Sequence, residues 1–276
     1  MAIWDKISSR GNVEDRRAMG PIGIGGLGVG GVALYLLASV LLGGEVNLED
    51  VLGQLETAQT TQQQSINRQA FEGQDSYEVF ASTVVGSNNE FWQETFEKNN
   101  EQYKPPTLVL FRTATQSACG AATSQVGPHY CPLDETIYLD ETFFEELQNR
   151  LGAQGGDVAE AYVIAHEVGH HVQNQLRILD EVNNSGNSNE LSIKQELQAD
   201  CFAGLWANSI KDIGVFLPGE INEAMDAAAS VGDDRIQEKV TGRINPESWT
   251  HGSSEQRVEW FTKGFDSGDF SACNTF

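Results

Sequence analysis

The sequence predicts an α+β fold dominated by helix, with a small sheet, behind one N-terminal transmembrane helix. Three observations carry this expectation. A stretch of 21 apolar or small residues, Ile22 to Leu42, lies within a run from Ala18 to Gly44 that holds no charged residue. Two short β-rich runs, "TLVLF" at 107–111 and "TIYL" at 136–139, stand near mid-chain. After them, apolar residues recur at helical spacing through five successive segments. The 276 residues suffice for one large or two small domains with a sizeable core.

Residues 1–19 read as a short cytoplasmic tail and 20–44 as a transmembrane anchor. A helix of 21 residues at ~1.5 Å per residue spans a hydrocarbon core of about 30 Å. Lys6, Arg10, Arg16 and Arg17 precede the span, while Glu45, Glu49 and Asp50 follow it. The positive-inside rule then places everything after residue 44 in the periplasm or outside the cell. A cleaved signal peptide is the alternative, but the long tail and uninterrupted span favour an anchor. "GIGGLG" (23–28) matches the dinucleotide-binding G-x-G-x-x-G only formally, because no strand precedes it. Gly26 and Gly30 form a G-x-x-x-G, a weak hint of a homodimer packed through the span.

Residues 45–75, with "TAQTTQQQS" at their centre, read as a polar stalk. The remainder, 76–276, reads as one domain. Its first helix covers 76–99 and is expected to break near Gly86. The two strands follow, and then helices over 141–151, 157–175, 190–211, 219–240 and 253–265.

The chain is acidic, with 40 Asp+Glu against 17 Lys+Arg and a formal net charge of -23. That excludes a nucleic-acid-binding face and adsorption to anionic lipid. All four cysteines lie after the span, and an even count in an oxidising compartment suggests disulfides. Of three pairings, Cys119 with Cys131 closes a short loop, leaving Cys201 to tie down Cys273. No C-x-x-C pair supports a four-cysteine zinc site.

Residues 166–170, "HEVGH", form H-E-x-x-H within an apolar helix. Spacing i, i+4 puts His166 and His170 on one face, where both imidazoles can reach one ion. His171 points about 100° away and cannot join them. An open catalytic zinc site needs a third protein ligand. The next helix offers Glu196 in "ELQAD", with Asp200 one turn further on. Asp200 is suited to accept a hydrogen bond from the outer ring nitrogen of a ligating histidine.

H-E-x-x-H followed by E-x-x-A-D resembles the glutamate-ligand zinc proteases. "NVEDRR", "GPHYCP", "IYLD", "YVIAHEVGHHVQ", "ELQADCFAGLWA", "GDDR", "THGSSEQR" and "GFDSGD", in this order, resemble the bacterial neutral zinc metallopeptidase family, whose members are assigned as membrane-anchored proteases. The resemblance runs over nearly the whole chain. It implies a zincin-like metallopeptidase domain and one zinc per chain held by His166, His170 and Glu196.

On that basis the chain is expected to hydrolyse peptide bonds of a peptide or protein substrate with a zinc-activated water and Glu167 as general base. His251, in "WTHGSSEQR", is the candidate second donor to the tetrahedral oxyanion. Arg257 is read mainly as a structural ion pair with an acidic group near the metal, and His129 either as a residue lining the cleft or as a plain loop histidine. "TIYLD" is the candidate edge strand for an extended peptide. The rival reading is a non-catalytic interaction module stapled by zinc. A zinc store is disfavoured by the count of five histidines.

Overall fold

The structure is a computed structural model that describes residues 1–19, 75–179 and 188–276. The expected anchor at 20–44, its Gly26–Gly30 motif and the stalk up to residue 74 lie outside the described residues. Among the described residues, no helix is long and apolar enough to cross a membrane.

The fold is α+β and mainly helical. Strands β1 (Asn12–Asp15), β2 (Thr107–Phe111), β5 (His129–Cys131) and β6 (Thr136–Asp140) form one sheet in the order β1-β2-β6-β5. β1, β2 and β6 run parallel, and β5 is antiparallel to β6. β3 (Ala114–Ser117) and β4 (Gly120–Thr123) make a separate hairpin. "TLVLF" and "TIYL" are therefore strands as expected, but both are central. β6 is flanked by β2 and β5, so "TIYLD" is not the edge; the short β5 is. Central position also explains why every residue of β6 is buried.

The helices are α1 (Ser76–Lys98), α2 (Phe143–Leu151), α3 (Asp157–Gln175), α4 (Asn189–Lys211), α5 (Ile221–Ser230), α6 (Asp233–Thr241) and α7 (Ser254–Ser267). Polar caps set several starts. Asp75 accepts from the Glu78 N–H, Ser188 from Leu191, and Ser253 forms a capping box with Gln256. The expected helix over 219–240 is two helices. It breaks at Val231–Gly232, where a Cβ on Gly232 would lie 2.4 Å from the Ser254 nitrogen. The glycine lets the start of α7 approach at that point. The expected break near Gly86 is absent, and α1 runs straight through it. Gly86 instead leaves room for the backbone of Arg10, 2.6 Å from where its Cβ would stand.

Residues 1–19, expected as a tail apart from the domain, are packed into it. Ile7 is buried in the core, and β1 pairs with β2 over four residues. The core otherwise joins α1, α3, α4 and α7 through Trp92, Tyr162, Phe202, Trp206 and Phe261. Two disulfides, Cys119–Cys131 and Cys201–Cys273, follow the expected pairing. The second ties α4 to the C-terminal 3-10 turn Phe270–Cys273.

A half-buried acid on α3, Glu160, gives the fold a pH dependence. Burial pushes Glu160 on α3 up to about 7; the Tyr77 hydroxyl opposes the shift, while Asp157 and Glu141 add to it. A raised folded pKa favours the protonated form. The associated stability is complete below about pH 4.5, the unfolded value, and is lost as pH rises through about 7. The shift corresponds to at most about 3 kcal/mol. Glu160→Gln is expected to flatten this part of the stability profile and to exceed wild type at pH 8. Urea unfolding at pH 5 and pH 8 checks it, and a parallel pH dependence in both proteins would exclude Glu160 as its source.

Candidate metal centre

Helices α3 and α4 build the site by packing closely. Gly169, inside "HEVGH", faces Ala199, inside "ELQAD": a Cβ at 169 would lie 3.1 Å from the Ala199 Cα. The small pair brings the turn bearing His166 and His170 against the turn bearing Glu196 and Asp200. Glycine and alanine inside the two motifs thus have a packing reason to be there.

His166 Nε2 and His170 Nε2 lie 3.1 Å apart. Glu196 sets Oε2 3.2 Å from His166 Nε2 and Oε1 3.4 Å from His170 Nε2. Zinc with bonds of about 2.0–2.1 Å to tetrahedral N and O ligands needs ligand atoms ~3.3 Å apart. The three residues therefore fit that ion, and among the described residues they form the metal-capable group of His, Cys, Asp and Glu.

The outer ring nitrogens are fixed as well. His166 Nδ1 donates to Asp200 Oδ1 at 2.8 Å, and His170 Nδ1 to Gln173 Oε1 at 2.9 Å. Both leave Nε2 with its lone pair toward the common point. Gln173 is fully buried, and its amide donates to Gln195 O and Gln198 Oε1 at 2.7 and 3.0 Å. That fixes its orientation. Asp200 is also fully buried and takes a bidentate pair from Arg257, Nε to Oδ2 at 2.7 Å and Nη2 to Oδ1 at 2.9 Å. The Tyr162 hydroxyl donates to the same Oδ1. Arg257 is thus the structural ion pair expected, tying α7 to the back of the site.

The electrostatics suit a cation. Burial would lower His166, but Asp200 and Glu196 together raise it to about 9. Burial would raise Glu196, yet the two imidazoles hold it well below its usual range. The same carboxylates that raise the histidines would favour a cation at the common point, which would bind with release of protons.

The group opens on a cleft of about 640 Å³. Glu167 lines it and, though only 6% exposed, makes no hydrogen bond or ion pair to a described residue. His251 lines it too, with its side chain 50% exposed and Nδ1 3.2 Å from Asp233 Oδ1. Asp233 Oδ2 receives the N–H groups of Thr250, His251 and Gly252 at 2.7, 2.7 and 3.1 Å. This bond to Asp233 raises His251 above its ordinary value, against burial. His129 sits on the rim, stacked on Tyr138. His171 stays apart as expected: it meets the Tyr130 hydroxyl at 3.0 Å and donates to Lys104 O at 2.6 Å, and burial lowers it to about 4.

Three contributors, Tyr162, Gln173 and Asp233, have roles that only the structure shows. Tyr162 and Gln173 flank the motif at i−4 from His166 and i+3 from His170, so helical spacing was the available signal. Asp233 lies in "GDDR", far from His251 in sequence, and nothing local announces the pair.

The family described as "putative neutral zinc metallopeptidase" matches residues 2–276. The uncharacterized protein YpfJ of Escherichia coli strain K12 is 43% identical over 284 residues, covering 99% of this chain and 98% of its own. The uncharacterized protein Rv2575 of Mycobacterium tuberculosis H37Rv is 46% identical over 185 residues, 63% of each chain. No solved structure matches the chain.

Proposed function

The chain belongs to the neutral zinc metallopeptidase family, and from that premise we propose that it is a zinc-dependent endopeptidase with Glu167 as general base. The observation that carries this reading is the juxtaposition of His166, His170 and Glu196, with the two Nε2 atoms 3.1 Å apart and the two carboxylate oxygens 3.2 and 3.4 Å from them, and the Glu167 carboxylate, which bonds to no described residue, on one open cleft. His166 and His170 would hold zinc through Nε2, and Glu196 through its carboxylate. Bound there, zinc supplies Lewis-acid activation of water and of the scissile carbonyl.

The chain's own residues account for the proton movements. Glu167 takes a proton from the attacking water as the C–O bond forms. It delivers a proton to the leaving nitrogen as the C–N bond breaks. His251, held by Asp233, donates to the oxyanion of the tetrahedral species. The edge strand β5 offers main-chain groups beside the cleft to an extended peptide. Val126, Phe143, Val163 and Ile236 give the cleft apolar walls for a substrate side chain. Two disulfides support an oxidising compartment as the place of work.

A purely structural zinc site closes its coordination with a fourth protein ligand. Among the described residues the metal-capable group has three members and faces an open cleft, which favours the enzyme over a zinc-stapled interaction module. The full chain, loaded with zinc, is expected to cleave an unbiased peptide library, to stop with a chelator and to resume with added zinc. No cleavage by fully loaded protein would sink the endopeptidase reading.

Metal content gives a separate check. Glu196→Ala removes one of three ligands and is expected to lose most bound zinc under limiting metal. Full occupancy in that variant would overturn Glu196 as a ligand.

A further inference from the structure

The N-terminal segment and the metal centre lie on opposite sides of a membrane only if the fold comes apart. We infer that residues 1–19 are a structural part of the metal-bearing domain and share its compartment, on one side of any membrane the chain meets.

The contacts are extensive and of several kinds. Trp4 stacks parallel to Trp206 at 6.5 Å and meets Phe80 and Phe216 edge-on at 5.3 and 6.3 Å. Its indole N–H and the Ala2 N–H both donate to Asp157 Oδ2 at 2.8 Å. Asp157 opens α3, the helix that carries "HEVGH". The segment is thus bonded to the start of the metal helix itself. Ile3 donates to Val215 O at 2.8 Å. Ile7 is buried in the core.

Next comes a crossing made for close approach. Gly11 lies over α1 where a Cβ would fall 2.4 Å from Val85 Cγ1, and Gly86 faces the Arg10 backbone. Gly11 also exchanges two hydrogen bonds with Ser82: its N–H goes to Ser82 O at 2.7 Å, and the Ser82 hydroxyl to Gly11 O at 2.9 Å. Then β1 adds four residues to β2, and the Arg16 N–H continues the ladder to Leu110 O at 2.7 Å. A chance contact does not supply aromatic stacking, paired glycines and strand register together.

The segment ends on a clamp. The Arg17 guanidinium binds Asp15 and Asp75 at 2.7 and 2.8 Å and Glu141 at 2.5 Å. Asp75 also caps α1. The last described turn before residue 20 and the first described residue after 74 are therefore joined by one ion pair. Only one run in the sequence between these points, 22–42, is long and apolar enough to span. A single crossing would carry Trp4, Ile7 and β1 away from their partners.

Two reporters, each adding one cysteine to the chain with its native disulfides kept, test this in intact cells. Ser8→Cys and Asp266→Cys both alter exposed positions, one in the N-terminal segment and one on α7. With a membrane-impermeant maleimide, both are expected to label alike before detergent is added. Labelling of one with protection of the other would overturn the inference. A second pair tests docking directly. Asn12 and Thr107 face each other in register, with Asn12 Nδ2 2.9 Å from Thr107 Oγ1. Asn12→Cys with Thr107→Cys is expected to cross-link within one chain in membranes treated with a thiol oxidant. Absence of that link in protein whose native disulfides are intact would overturn it equally.

Discussion

Glu167→Gln is expected to keep its zinc and lose at least ~10²-fold in peptide hydrolysis, the lower range of general acid–base effects. The substitution preserves length and nearly the same volume, so the packing of α3 is undisturbed. Glu167 makes no hydrogen bond or ion pair to a described residue, so its neutralisation leaves no partner stranded. The three ligand-type side chains keep their own partners: His166 on Asp200, His170 on Gln173, and Glu196 on both imidazoles. Zinc content and melting temperature should therefore stay close to wild type while turnover falls. His166→Ala should lose zinc and turnover together. Equal cleavage by wild type and Glu167→Gln would show that another group takes the proton, or that a contaminating protease was measured.

What the sequence made readable follows from how far apart the cooperating residues lie. "HEVGH" and "ELQAD" each sit within one helix, so helical spacing alone orients His166 with His170 and Glu196 with Asp200. Their meeting across α3 and α4 was legible as a helix pair, but not the Gly169–Ala199 contact that sets its closeness. The exclusion of His171 also followed from angle alone, and its bonds to Tyr130 and Lys104 agree. Long-range pairings were not readable. Asp233 with His251 joins the start of α6 to the loop before α7. β1 was missed because "NVED" is polar, half-exposed and only four residues long; its strand state comes from the free edge of β2. Gly86 reads as a breaker from sequence, which does not distinguish a glycine that ends a helix from one that admits another backbone.

The buried pair behind the metal centre should show the other large effect. Asp200→Ala removes the counter-ion of a guanidinium whose side chain is only 4% exposed. An uncompensated buried charge costs about 3–5 kcal/mol. Glu196, 3.9 Å from Arg257, relieves part of that, which places the expectation near the lower end. For a chain of this size, the melting temperature should fall by roughly 6–12 °C. The same change frees His166 Nδ1 and the Tyr162 hydroxyl, so zinc affinity should weaken by roughly 10–100-fold. Arg257→Met in the Asp200→Ala background separates the two effects. Removing the stranded charge should return a large part of the stability, because an ion pair exchanged for apolar volume is often neutral. It should not restore zinc affinity, because nothing then orients His166. Thermal unfolding of the metal-stripped proteins and zinc competition against a chromogenic chelator read the two quantities independently. Stability losses that simply add in the double variant would show that Asp200 and Arg257 are not energetically coupled, whatever their 2.7 Å separation.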